Sequence, residues 1–169
     1  EGMGSYSVLQ WEDELSECNT WLAKPFCPDE DPNNHDPSCG VGVPTADVIG
    51  FRTPFLAYND NTFTALQNQG FAYDTTIVES ADSTFDGTNY YWPYTMDSGS
   101  PADPSVGNHP GLWQLPMYKP VDSSGQKKGP MDYDMWYPQG MTGAEFCDVM
   151  KHTLDLRYSG NRAPFIWGG

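Results

Sequence analysis

Residues 47–78 decide how this chain is read. They open Asp47-Val48-Ile49-Gly50-Phe51, continue Arg52-Thr53-Pro54-Phe55-Leu56, and run through Asp60-Asn61 to Gly70. They close Phe71-Ala72-Tyr73-Asp74-Thr75-Thr76-Ile77-Val78. The apolar run at 47–51 reads as a short buried strand. Residues 61–69 read as a helix, capped by Asp60 or Asn61 and closed by Gly70. Residues 71–73 and 75–78 read as further strand. Strand, helix and strand in that order imply an α/β fold with parallel strands.

Upstream, Trp11, Leu15, Cys18 and Leu22 share one helical stripe, so a helix is expected over 11–23. Glu12, Asp13 and Glu14 would occupy its first turn, and Pro25 would end it. Residues 25–46 form a loop dense in Pro, Asp and Asn that carries Cys27 and Cys39. A loop of that length needs a staple or a function. Downstream, 79–111 reads mostly as loop and 112–117 as a strand. A second polar loop over 118–141 holds Asp132-Tyr133-Asp134-Met135-Trp136. Thr142-Gly143-Ala144-Glu145 is a capping box that opens a last helix. Phe146, Val149, Met150, Thr153 and Leu154 would form its buried face, Gly160 its stop, and 163–167 a final strand. The whole of 1–169 reads as one domain segment with 25–46 inserted in it.

The chain has 169 residues, 38% of them apolar and 14% aromatic, which is too rich for a disordered chain. Lys and Arg total 8 against 23 Asp and Glu, a net charge of -15. Such a surface repels phosphate backbones and excludes nucleic acid as a partner. No apolar run approaches the ~18 residues of a membrane span. Neutral glycans and cations are the easier partners. The cysteines, Cys18, Cys27, Cys39 and Cys147, are even in number and lack a C-x2-C pair. Two disulfides in a secreted or extracellular protein fit them better than zinc, with three pairings open. Cys27 with Cys39 would close the long loop, leaving Cys18 with Cys147 to tie two helices. No signal peptide stands at Glu1-Gly2-Met3-Gly4.

Arg52 is the most informative charge, because it follows a strand where α/β folds place their sites. Taken alone, it also reads as half of a structural ion pair. Trp92, Trp113 and Trp136 lie in or near loops, where aromatic rings stack on sugar faces or simply pack. His35, His109 and His152 are scattered and lack metal-ligand spacing. Thr84-Phe85-Asp86-Gly87 has the outline of a metal-binding T-F-D-D turn but lacks its second Asp.

From residue 47 onward, the order of short motifs resembles a known family. These are Gly50-Phe51-Arg52-Thr53-Pro54-Phe55-Leu56, Gly70 to Ile77, Trp92-Pro93-Tyr94-Thr95-Met96 and Leu112-Trp113-Gln114-Leu115-Pro116-Met117. Met131-Asp132, Leu154 to Tyr158 and Asn161-Arg162-Ala163-Pro164 follow. The set is similar to that of polysaccharide deacetylases, the NodB-like carbohydrate esterases, and most like their chitin deacetylase branch. The resemblance implies the C-terminal part of a distorted (β/α) barrel with long loops. It implies metal-dependent hydrolysis of N-acetyl groups on chitin-like or other N-acetylated polysaccharides. The divalent metal, zinc by the resemblance, would have its ligands outside this chain, upstream of Glu1. Residues 1–169 alone would then be inactive, and the rest of the domain would be another segment or chain.

By the same resemblance, Arg52 orients the base aspartate and Asp132 approximates the fourth-motif acid. Pro54 and Phe55 form the groove wall with Trp136, and Ile166 and Trp167 lie near the acetyl methyl. Trp92 and Trp113 join the substrate-binding set. A general-acid histidine is expected just after Gly169. The alternative is a non-catalytic extracellular glycan-binding or structural module on a degenerate deacetylase fold. A third reading, free of the family, is an acidic assembly protein whose interface buries Trp92 or Trp136.

Overall fold

A computed structural model gives the fold and describes residues 2–31, 33–79 and 86–167. Helix α1 spans Val8–Ala23 and is opened by a capping box between Ser7 and Gln10. It starts a turn earlier than its apolar stripe predicts, so Glu12, Asp13 and Glu14 fall in the second turn. Ser7 supplies the cap, because its hydroxyl meets an orphan N–H that Trp11 cannot serve. Helix α2 spans Asp60–Asn68, capped by Asn59 rather than by Asp60 or Asn61. Gly70, at φ 78°, lets Phe71 turn back to the Leu66 carbonyl.

The strands are short. In chain order they are β1 Gly50–Phe51, β2 Tyr73–Asp74, β3 Val78–Glu79, β4 Tyr94–Thr95, β5 Trp113–Gln114 and β6 Met117–Tyr118. One sheet runs β1-β2-β5-β4, with β1, β2 and β5 parallel and β4 antiparallel at the edge. The strands β3 and β6 form a parallel pair of their own. Between Asp74↔Gln114 and Val78↔Met117 the first chain spends Thr75, Thr76 and Ile77 where the second spends Leu115 and Pro116. Pro116 has no N–H to give, and this one-residue offset splits the ladder there. The α/β class is therefore present, with a mixed sheet. Among the described residues that sheet does not close into a barrel.

Trp11 and Leu15 of α1 and Phe63, Ala65 and Leu66 of α2 meet Phe71, Ile77, Met96 and Leu112 in the main core. Polar bonds tie the two helices: Asn68 donates to the Glu12 carboxylate (2.7 Å), and Gln69 donates to the Glu12 carbonyl (2.7 Å). Leu22 is half-buried and Cys18 exposed, so the expected stripe leaves the core beyond Leu15. His109 is buried against Phe63, with Nδ1 on Gln67 (3.1 Å) and Nε2 on Asp60 (2.8 Å).

Helix α3, Asp132–Trp136, and strand β4 arise inside stretches that read as loop. Helix α4, Gly143–Ser159, starts on the Thr142–Glu145 capping box as the sequence implies. Its buried face is Val149, Thr153 and Arg157, whereas Leu154 is half exposed. Residues 163–167 are not a strand. The Arg157 guanidinium takes the Ala163 and Pro164 carbonyls itself, at 3.0 and 2.8 Å.

Cys27 and Cys39 form a disulfide, which is compatible with a secreted protein. Cys18 and Cys147 are free and exposed, so the predicted tie between α1 and α4 is not made. The closed loop folds back on the end of α1, where Gly40 donates to Pro25 and Gly42 to Lys24. A Cβ at Gly40 would overlap the Trp21 carbonyl. Removing the cross-link by Cys27→Ser is expected to lower stability by about 3 kcal/mol, the loop-closure entropy for a separation of 12 residues. A thermal or denaturant midpoint unchanged by that substitution would show the loop to be ordered without it. No described helix is long and apolar enough to cross a membrane.

Candidate functional site

The β1–β2 register, carried two residues further, sets Arg52 opposite Thr75 and Thr53 opposite Thr76. Side chains take over there from the backbone ladder. Arg52 donates its Nε–H to Thr75 Oγ1 (2.8 Å), and the Thr53 amide donates to Thr76 Oγ1 (3.0 Å). Thr76 is held in turn by Asp74, whose carboxylate accepts the Thr76 amide and hydroxyl, both at 2.7 Å. Asp74 is wholly buried, and burial pushes its carboxyl up to about 6 against the restraint of those two bonds. Gln114, across the β2–β5 pair, lies near enough to favour the charged form. Neither of its buried amide atoms makes a hydrogen bond of good geometry.

Beyond Thr53 the chain enters one tight turn over Pro54–Leu56. Phe55 and Leu56 both lie in the left-handed region, at φ 56° and 54°. Such backbone costs roughly 1–3 kcal/mol for each bulky residue. Two backbone bonds hold it: Leu56 N–H to the Thr53 carbonyl and Ala57 N–H to the Pro54 carbonyl, both 3.2 Å. The Phe55 ring is 95% exposed. It shares a cavity of about 440 Å³ with Leu56, Met131, Tyr133 and Asp134.

The segment after β1 therefore shares a cavity with α3, at Tyr133 and Asp134. Asp132 is exposed, accepts the Tyr133 amide (2.7 Å), and lines a second cavity of about 240 Å³ with Trp136 and Phe146. Phe146 packs edge-on against Trp167, with ring centres 5.9 Å apart, which brings the chain's last aromatic toward that side. Ile166 is half-buried beside it. Tyr133 and Tyr137 stack at 5.6 Å, and with Trp136 they give α3 an exposed aromatic face.

Trp92 and Trp113 stand apart from this group. Trp92 is exposed and donates to the Asn161 carbonyl (3.3 Å). The register sets Trp113 level with Tyr73 and Gly50, at the start of the strands rather than the end that carries Arg52.

No model of a known protein family matches the chain, and no curated protein matches it.

The described residues hold no group of His, Cys, Asp and Glu that fits a metal ion. His109 is committed to Asp60 and Gln67, and His35 contacts Glu30. Thr84 and Phe85 lie outside the described residues; Asp86 is exposed and engaged by Thr88 (2.7 Å).

A second buried acid, Glu79, carries no local signal in the sequence. Glu79 accepts the Tyr91 amide (3.0 Å), leaves its other oxygen unpartnered, and is pushed by burial up to about 7. The motif Asp74-Thr75-Thr76 carried a readable signal, an acid two residues before a hydroxyl, which is the pattern of an Asx turn.

Proposed function

We propose that the chain is the C-terminal part of a secreted, metal-dependent polysaccharide N-deacetylase acting on chitin-like or other N-acetylated glycans. One observation carries the reading. Arg52 sits half-buried at the end of a parallel strand and makes no ion pair among the described residues. A guanidinium fixed through Nε and otherwise unpaired is suited to orient a carboxylate brought from elsewhere. Strained Phe55, three residues beyond Arg52, shares a cavity with Tyr133 of α3, and both offer flat apolar faces to sugar rings. The divalent metal, zinc by the resemblance, would be held by ligands outside this chain.

The full-length protein is expected to release acetate from N-acetylated chitooligosaccharides and to lose that activity on chelation. Arg52→Ala should lower kcat/KM by about 10²-fold, the cost of a misplaced catalytic group. A metal-loaded full-length protein inactive on every acetylated glycan tried would overturn the reading. The exposed aromatic face of α3 favours a second one, a non-catalytic glycan-binding module. Retention on chitin without acetate release would select it.

A further inference from the structure

We infer that Asp74 and Thr76 are positioning residues that set the attitude of Phe55, and that Thr75 between them sets that of Arg52. Their service to catalysis rests on the function proposed above, while the positioning itself does not.

The bonds form a single directed chain. Each Asp74 oxygen accepts one bond from Thr76, the amide on one and the hydroxyl on the other. The Thr76 hydroxyl, having given its proton to Asp74, has only lone pairs left, and one of them accepts the Thr53 amide. The Thr53 carbonyl then accepts Leu56 N–H, closing the turn that carries Phe55. Asp74, Thr76 and Thr53 are all buried, so water cannot replace a missing link cheaply. Arg52 is held beside this chain by Thr75, whose hydroxyl accepts its Nε–H. A plain parallel ladder would give the Thr53 amide a backbone carbonyl. A hydroxyl oriented by a buried carboxylate replaces it here, just before the two left-handed residues.

The test uses the full-length protein with Thr76→Val, Thr76→Ser and Thr75→Val. In Thr76→Val, exchange of the Thr53 and Leu56 amides should quicken by about tenfold or more, with α1 and α2 amides unchanged. Chymotryptic cleavage after Phe55 should quicken several-fold. Thr76→Ser keeps the hydroxyl and should restore both. Identical behaviour of the valine and serine variants overturns the inference. If Thr76→Val does not fold, Thr75→Val decides. It should abolish the protected Arg52 Nε–H resonance in NMR spectra, and a resonance that persists overturns the inference. Where the wild type releases acetate, Thr76→Val and Thr75→Val should lower kcat about tenfold with KM nearly unchanged, and an unaltered kcat counts against positioning for catalysis. Where it releases none, the proposed function fails, and the exchange and cleavage results still decide the positioning.

Discussion

Arg157→Leu is expected to lower stability by about 3–5 kcal/mol, a large part of the roughly 5–15 kcal/mol that holds an ordinary domain folded. Arg157 is 3% exposed on the inner face of α4. Its guanidinium lies 3.6 Å from the centre of the Tyr118 ring and 4.0 Å from that of Tyr90, with Phe165 at 5.2 Å. Desolvated contacts of that kind are each worth up to about 2 kcal/mol. Its Nη1 also donates to the Ala163 and Pro164 carbonyls, which replace a strand in tethering the chain beyond α4. Its charge helps to keep buried Glu79 ionised. Leucine fills the space and supplies none of this. Lysine restores a charge without the planar fork, so Arg157→Lys should recover less than half of the loss. Urea unfolding of the three proteins checks both statements, and a lysine variant within about 1 kcal/mol of wild type would refute the bridging role.

Mild acid should stabilise the protein. Asp74 and Glu79 are raised to about 6 and about 7 from ordinary values of 3.8 and 4.5. The folded state therefore binds protons that the unfolded state has already released, and stability falls as pH rises through that window. Between pH 7 and pH 5 the two groups together should add about 3 kcal/mol. Below about pH 4 the sign reverses. Asp60, Asp103 and Asp122 are held below their ordinary value by hydrogen bonds, and their contribution is lost once they are protonated. Unfolding midpoints measured from pH 4 to 8 should peak on the acid side, and Asp74→Asn with Glu79→Gln should flatten the slope. A midpoint that rises steadily from pH 5 to 8 would contradict the assignment.

The sequence made α1, α2 and α4 legible, because periodicity and caps are local. Thr142-Gly143-Ala144-Glu145 marked the start of α4 to the residue. The parallel relation of β1 and β2 was legible from the helix between them. The strand lengths were not, since a two-residue strand exists only through its neighbours: Pro116 breaks one ladder, and the bond pattern past Phe51 shifts from backbone to hydroxyls. Helix α3 and strand β4 sat in polar, Pro- and Gly-rich stretches whose order comes from tertiary contacts. That Phe55 and Leu56 share a cavity with Met131, Tyr133 and Asp134 depends on tertiary packing that no local pattern reveals. That Asp134 rather than Asp132 lines the cavity with Phe55 could not be read, because two residues of helical phase, about half a turn, decide it. Glu79 and Arg157 were missed because a charged residue in a polar stretch gives no sign of burial.

Phe55 adds almost nothing to the core, and its backbone sits where glycine would rest more easily. Glycine there would relieve steric strain and withdraw a large apolar ring from water. The ring in place thus works against the economy of folding, and nothing within the described fold repays it. Stability alone would favour a different residue at this position, and under the function proposed above it is the glycan, not the fold, that would account for the ring.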